Sequence, residues 1–321
     1  AYLTGEILVR PKNINVDLIP LDLNSIYGLY SASKKYKKLI QDFQPDVVHA
    51  HMVHANIFTR LNRIRAKVPR LISSAHSNNE GGRNRMLAYR ATHHLADYTS
   101  NVSNNACENF RQLKAVPNND IHVVYNGVDI NKFTYHAHAL KSPKIKNEKI
   151  FIAVGRFHEA KDYPNLLNAF SIFYKKYKDI HLLIIGDGNL KTSIESMIIN
   201  LNIEESVTLL GIRKDVEKFL SASDIFVLSS AWEGFGLVVA EAMACERIVV
   251  ATDCGGVREV IDNCGFLIEP KNSEFLAETM QKAYFLNEKS AINIGNKARK
   301  RILEKYSLDN VVSLWEDIYK N

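Results

Sequence analysis

The feature that most restricts this chain is a regular alternation of short β-rich runs with segments whose apolar residues recur at helical spacing. Asp46 to Val48, Leu71 to Ser74, Tyr98 to Val102 and Ile121 to Val124 read as strands, with Ser33 to Phe43 and Arg83 to Leu95 as helices between them. A second series follows, with strands Ile150 to Val154, His181 to Ile185, Val207 to Leu210, Ile225 to Leu228, Ile248 to Ala251 and Phe266 to Ile268. Its helices are predicted at Pro164 to Lys176, Leu190 to Leu201, Val216 to Ser221, Leu237 to Ala244 and Ser273 to Phe285. Pro164 suits a helix start, where its missing N–H would have had no partner. Such alternation predicts parallel sheets wrapped by helices. Between the two series Asn131 to Glu148 is polar, contains Pro143 and reads as a linker. With 321 residues, 46% of them hydrophobic, the chain has enough material for two ordinary cores. The expected architecture is two Rossmann-like α/β domains with a cleft between them, over residues 1–130 and 149–305. The linker is placed at 131–148 and a terminal helix at 306–321.

Charge is unevenly spread, with a net +10 over residues 1–149 and −4 over the remainder. The first half therefore suits an anionic partner such as nucleic acid, a phosphorylated lipid or an acidic membrane surface, or it presents a solvated basic face. Cys107, Cys245, Cys254 and Cys264 show no paired spacing and read as small buried hydrophobes in a reducing compartment. Apolar runs such as His181 to Ile185 are far shorter than the ~20 residues a membrane helix needs. These readings predict a cytoplasmic protein that can rest on a membrane.

In sheets of this kind ligands gather beyond the carboxyl ends of the strands, where loops lead into helix N-termini. Strand Ile225 to Leu228 runs into such a loop, Glu233-Gly234-Phe235-Gly236, which leads into a helix from Leu237 carrying Glu241. The glycines let backbone N–H groups approach a phosphate or a sugar oxygen, and a loop carboxylate can accept bonds from two sugar hydroxyls. By itself this stretch is equally a helix start with a dipole-compensating acid. Gly155-Arg156 and Lys161, after the first strand of the second series, add a guanidinium fork and an ammonium able to converge on one diphosphate.

Gly155-Arg156 with Lys161, Gly186-Asp187-Gly188, Glu233 with Glu241, and Asp253-Cys254-Gly255-Gly256-Val257-Arg258-Glu259 together resemble the family-four glycosyltransferases. Asn126-Gly127-Val128-Asp129 at the domain junction matches as well. The resemblance implies the GT-B fold, with an acceptor-side first domain and a nucleotide-sugar-binding second domain. It also implies transfer of a sugar with retention of anomeric configuration and without a metal. Arg156 and Lys161 would hold the donor diphosphate; Glu233, with the backbone of Gly234, Phe235, Gly236 and Leu237, would hold the sugar. Glu241 would bond the ribose, and Gly211 and Ile212 would border the nucleobase. Fixed cations at the diphosphate stabilise the negative charge that develops as it leaves.

In the first domain, His76 within Ser73-Ser74-Ala75-His76-Ser77 resembles the family's histidine near the reacting sugar. His49, His51 and His54 have spacing that could hold zinc, but no carboxylate follows at a ligand distance, so no metal is expected. Lys34, Lys35, Lys37 and Lys38, interleaved with Tyr36 and Leu39, form either a basic face for anionic lipid or a plain solvated helix face. The segment 306–321 resembles the family's terminal helix, which returns to the first domain. Ala1-Tyr2-Leu3-Thr4-Gly5 resembles the end of the second strand in relatives, so the first strand, glycine-rich loop and helix are expected to be missing. The implied donor is a UDP-sugar, with a GDP-sugar as alternative, and the implied partner is a saccharide or lipid-linked acceptor of bacterial surface polysaccharide or lipopolysaccharide synthesis, with no nucleic acid. Competing readings are a non-catalytic, truncated nucleotide-sugar binder and a GT-B epimerase.

Overall fold

A computed structural model describes residues 16–23, 26–78, 80–117, 120–135 and 148–321. Most of the expected linker and the chain start, on which the missing-strand expectation falls, lie outside the described residues. The chain packs as two compact units, one holding residues up to 101 together with 107–123, the other holding 102–106 and 124–321. The division thus falls a few residues earlier than the linker, and a five-residue piece of the first series joins the second unit.

In the first unit a parallel sheet runs in the order β1 (Val47–His51), β2 (Arg70–Ser74), β3 (Tyr98–Asn101) and β4 (His122–Val123). Its helices are α1 (Leu29–Phe43), α2 (Met52–Arg63) and α3 (Arg83–Thr92); α4 (Asn104–Gln112) begins in the piece that belongs to the second unit. Along α1, Ala32, Tyr36 and Ile40 are buried at four-residue intervals and pack with Phe58, Val68 and Leu71. Lys34, Lys35, Lys37 and Lys38 remain exposed. Tyr36 is therefore a core residue, and the lysines lie on the solvent face without it. Helix α2 carries the fully buried Arg60, whose guanidinium donates to Ser73 Oγ at 3.0 Å, Thr99 Oγ1 at 2.9 Å and the Tyr89 carbonyl at 3.3 Å. Burial pulls its pKa down to about 10, which leaves it charged at neutral pH, and these acceptors offset the desolvation.

The second unit is a six-stranded parallel sheet in the order β10-β9-β8-β5-β6-β7. In chain order these are β5 (Lys149–Val154), β6 (Ile180–Ile185), β7 (Val207–Gly211), β8 (Ile225–Leu228), β9 (Ile248–Thr252) and β10 (Phe266–Ile268). Helices α5 (Tyr163–Lys176), α6 (Lys191–Asn200) and α10 (Ser273–Tyr284) cover one face. The other is covered by α7 (Val216–Ala222), α8 (Leu237–Ala244), α9 (Val257–Ile261) and α11 (Glu288–Lys305). Side chains alternate between the faces, with Ile152, Phe226 and Val249 on one and Phe151, Ile225 and Val250 on the other. Covering both faces is why these strands read as continuous apolar runs.

The final helix, α12 (Leu308–Lys320), is joined within this unit through Val128, whose N–H donates to the Tyr306 carbonyl and whose carbonyl accepts from Leu308 N–H, both at 2.8 Å. A Cβ on Gly127 would stand 2.8 Å from Leu308 Cα, so this pairing needs a glycine there. From β5 the chain builds outward through β6 and β7, then returns to place β8 on β5's other side. The order reverses between β5 and β8, and that opens a crevice at their carboxyl ends.

Candidate functional site

Each unit collects polar side chains at the carboxyl ends of its strands. In the second unit the loop leaving β5 is held by the loop leaving β6. Phe157 N–H donates to the Asp187 carbonyl at 2.9 Å, Leu190 N–H donates to the Phe157 carbonyl at 3.2 Å, and Tyr163 Oη donates to the Gly155 carbonyl at 2.8 Å. The Gly-Asp-Gly sequence is required by this closeness. A Cβ on Gly186 would lie 1.9 Å from the Gly155 oxygen, and one on Gly188 would lie 2.5 Å from the Phe157 oxygen. Phe157 is buried as an anchor, which leaves Arg156 exposed, with no ion pair among the described residues.

The loops after β5 and β8 are joined directly. Ala231 N–H donates to the Ala160 carbonyl and Ser229 Oγ to the Lys161 carbonyl, both at 2.8 Å. Across this seam Lys161 Nζ meets Glu233 Oε1 at 2.5 Å, with the two side chains only 19% and 14% exposed. Ser230 Oγ donates to the same carboxylate oxygen at 2.8 Å, and Ser230 is held in turn by Thr252 Oγ1, which donates to its carbonyl at 2.6 Å. Among the described residues Glu233 Oε2 has no partner, so it is the oxygen left to accept from a ligand. Neither Ser230 nor Thr252 was expected from sequence. A serine three residues before a loop carboxylate is too common a pattern to be informative.

The start of α8 is built for close approach. Gly236 takes φ +87° at the N-cap, and a Cβ on Gly256 would lie 2.7 Å from the Gly234 oxygen. Ser103 Oγ, in the piece that joins this unit, donates to that same oxygen at 2.7 Å. The Phe235 side chain is buried against Tyr125 and Tyr306, so only its backbone could serve a ligand. Glu241 is partly buried on α8, and desolvation, with Glu217 pushing up and Lys132 pulling down, raises its pKa to about 7. At the end of β7, Gly211 has φ +65° and Ile212 is 77% exposed. Within the glycine-rich segment after β9, Arg258 pairs with Asp253. Glu259 accepts from the N–H groups of Asn104 and Asn105 at 2.9 and 2.8 Å and so caps α4. All four cysteines are buried, and none forms a disulfide among the described residues.

In the first unit His51, the last residue of β1, places Nδ1 2.9 Å from His76 Nε2, just beyond β2. The His49 ring lies against that of His51 with centroids 4.0 Å apart, and its Nε2 is 2.7 Å from Ser74 Oγ, itself 2.7 Å from Ser100 Oγ. Burial lowers the pKa of His49 to about 3 and lowers those of His51 and His76, so all three are neutral imidazoles at neutral pH. His54 lies in the first turn of α2. Glu80, which the sequence did not single out, accepts from His76 N–H at 2.9 Å and from Tyr89 Oη at 2.6 Å.

Two parallel α/β units, the second with an ion pair and a glycine-rich helix start at its switch point, have the architecture of the GT-B glycosyltransferases. The chain belongs to the glycosyl transferases group 1 family, whose model matches residues 136–301, and the Glycosyltransferase Family 4 model matches residues 8–132. It is 32% identical over 232 residues to the N-acetyl-alpha-D-glucosaminyl L-malate synthase of Bacillus anthracis, covering 70% of this chain and 59% of that protein. It is 26% identical to the UDP-Gal:alpha-D-GlcNAc-diphosphoundecaprenol alpha-1,3-galactosyltransferase of Escherichia coli, covering 95% of this chain and 81% of that protein. The fold matches the crystal structure of Anabaena HepE in complex with UDP and glucose at a TM-score of 0.82 and 20% identity, over 94% of this chain and 84% of that one.

Proposed function

We propose that this glycosyltransferase moves a hexose or N-acetylhexosamine from a nucleotide-sugar, a UDP-sugar in preference to a GDP-sugar, to a saccharide acceptor carried on a lipid. The transfer proceeds with retention and without a metal, in the assembly of bacterial surface polysaccharide. The observation that carries this reading is the Lys161–Glu233 pair at 2.5 Å across the β5–β8 seam, beside the exposed Arg156. The paired ammonium and carboxylate hold each other in place until a diphosphate takes the lysine and sugar hydroxyls take the carboxylate. Arg156 and Lys161 then stabilise the charge growing on the leaving nucleoside diphosphate, and Glu233 orients the sugar without a covalent role. Glu241 bonds the ribose, Gly211 and Ile212 border the base, and His76 acts on the reacting sugar.

The donor and acceptor are supported by relatives whose names specify a UDP-galactose donor and a diphosphoundecaprenol acceptor, and by a fold neighbour bound to UDP and glucose. Among the described residues no helix is long and apolar enough to cross a membrane, so a lipid-linked acceptor would be met from the membrane surface through the exposed lysines of α1.

A thermal-shift screen against UDP- and GDP-sugars tests the donor, because a ligand of the folded state raises the melting temperature by mass action. A rise with a UDP-sugar followed by anomer-retaining product is expected. Conversion of donor alone, with no acceptor, would instead make the protein an epimerase. UDP binding without any transfer would make it a binding module.

A further inference from the structure

Three neutral imidazoles lie together in the first unit, and the role assigned to His76 uses only one of them. His51 and His76 meet ring to ring, Nδ1 to Nε2, at 2.9 Å. Two neutral imidazoles at that distance share one hydrogen, so one nitrogen donates and the other accepts. Each neutral ring carries a single N–H. If His51 Nδ1 donates, His76 Nε2 is the acceptor, and the hydrogen of His76 must sit on Nδ1. If His51 Nδ1 accepts, His76 Nδ1 is left with a bare lone pair. His76 Nδ1 has no partner among the described residues, and it is the atom left for a ligand. The state of His51 therefore decides whether His76 presents a donor or an acceptor.

His51 is itself held firmly. Its ring rests on that of His49, which is tied to Ser74 and Ser100, and β1 and β2 are in register with His51 opposite Ser74. The next residue, Met52, takes φ +70°, a left-handed conformation that costs a side-chain-bearing residue about 1 kcal/mol. The strand is turned into α2 at that point, which leaves the His51 ring at the strand end. On the other side, Glu80 fixes the backbone of His76 through its N–H.

We propose that His51 is the positioning residue for His76, fixing the orientation and tautomer of the imidazole that acts on the transferred sugar. The proposal rests on the assignment of His76 to the sugar. Long-range proton–nitrogen NMR of the imidazoles, with wild type and His51→Ala compared, reads the tautomer of His76 without any substrate. A single His76 tautomer in wild type that becomes mixed or inverts in His51→Ala is expected, whereas an unchanged His76 overturns the proposal whatever the turnover. In transfer assays with the donor selected by thermal shift, His51→Ala should lower kcat about 10- to 100-fold with little change in donor KM. His51→Asn, whose amide reaches the position of the imidazole Nδ1, should restore most of that loss, and His51→Gln should not. Normal turnover in His51→Ala, with His76→Ala impaired, also overturns the proposal. Full turnover in His76→Ala would instead remove the assignment of His76, and the NMR comparison would still decide the coupling.

Discussion

The second unit holds charge at its strand ends, with Lys161, Arg156 and Glu233 around the loops after β5 and β8. At the strand ends of the first unit stand neutral imidazoles and hydroxyls, His49, His51, His76, Ser74 and Ser100, above a buried glutamic acid. The difference is chemical as well as compositional. Fixed cations suit a diphosphate, whose charge increases during transfer, and a neutral imidazole suits a hydroxyl, which needs a donor or acceptor and no net charge. The net +10 of the first half does not contradict this, since the α1 lysines it includes are exposed to solvent.

The largest test of this division is Glu233→Ala, which should lower kcat about 100- to 1,000-fold and raise donor KM while the circular dichroism spectrum is unchanged. Wild-type turnover in that variant would show that the charged strand ends do not grip the sugar. Lys161→Ala should weaken UDP about 10- to 100-fold by calorimetry, the loss of one charge-assisted contact, and Lys161→Arg should recover only part. If UDP affinity does not change, the diphosphate is held elsewhere.

Gly186→Ala tests the support beneath the charged loop. Its new Cβ would meet the Gly155 oxygen, so about 2 kcal/mol of stability should be lost in urea unfolding and UDP binding should weaken with it. The smallest effect is a pH dependence. Glu241, raised to about 7 when folded, takes up its proton more readily than in the unfolded chain, so its contribution is fully present below about 4.5 and is lost as pH rises through about 7. Glu241→Gln should match wild type at low pH and exceed it by about 1 kcal/mol above pH 7, read from unfolding curves across that range. A constant gap would show that Glu241 is solvated in the free protein.

The sheets were legible because strands buried on both faces must be largely apolar, as Leu182 to Ile185 is. Helix α2 was not, since Asn56, Thr59, Arg60 and Asn62 lie on its buried side and hide the periodicity. Helix α11 escaped for a different reason. It buries only Gly295, Ala298 and Ile302, and a Cβ on Gly295 would come 2.5 Å from the Glu246 oxygen. Close packing through small residues leaves too narrow a stripe to detect. Asp253 to Glu259, which contributes to the family resemblance, is partly structural, since Glu259 caps α4.

By itself the sequence determined the class: alternating runs dictated parallel sheets, and glycines, cations and acids at strand ends marked the candidate site. Only the tertiary structure decided the pairings. Lys161 reaches Glu233 because β5 and β8 are neighbours although 70 residues of chain separate them, and His51 reaches His76 because β1 and β2 lie in register. Local patterns report which residues face a ligand edge, whereas hydrogen-bond partners and proton positions depend on which strands are adjacent.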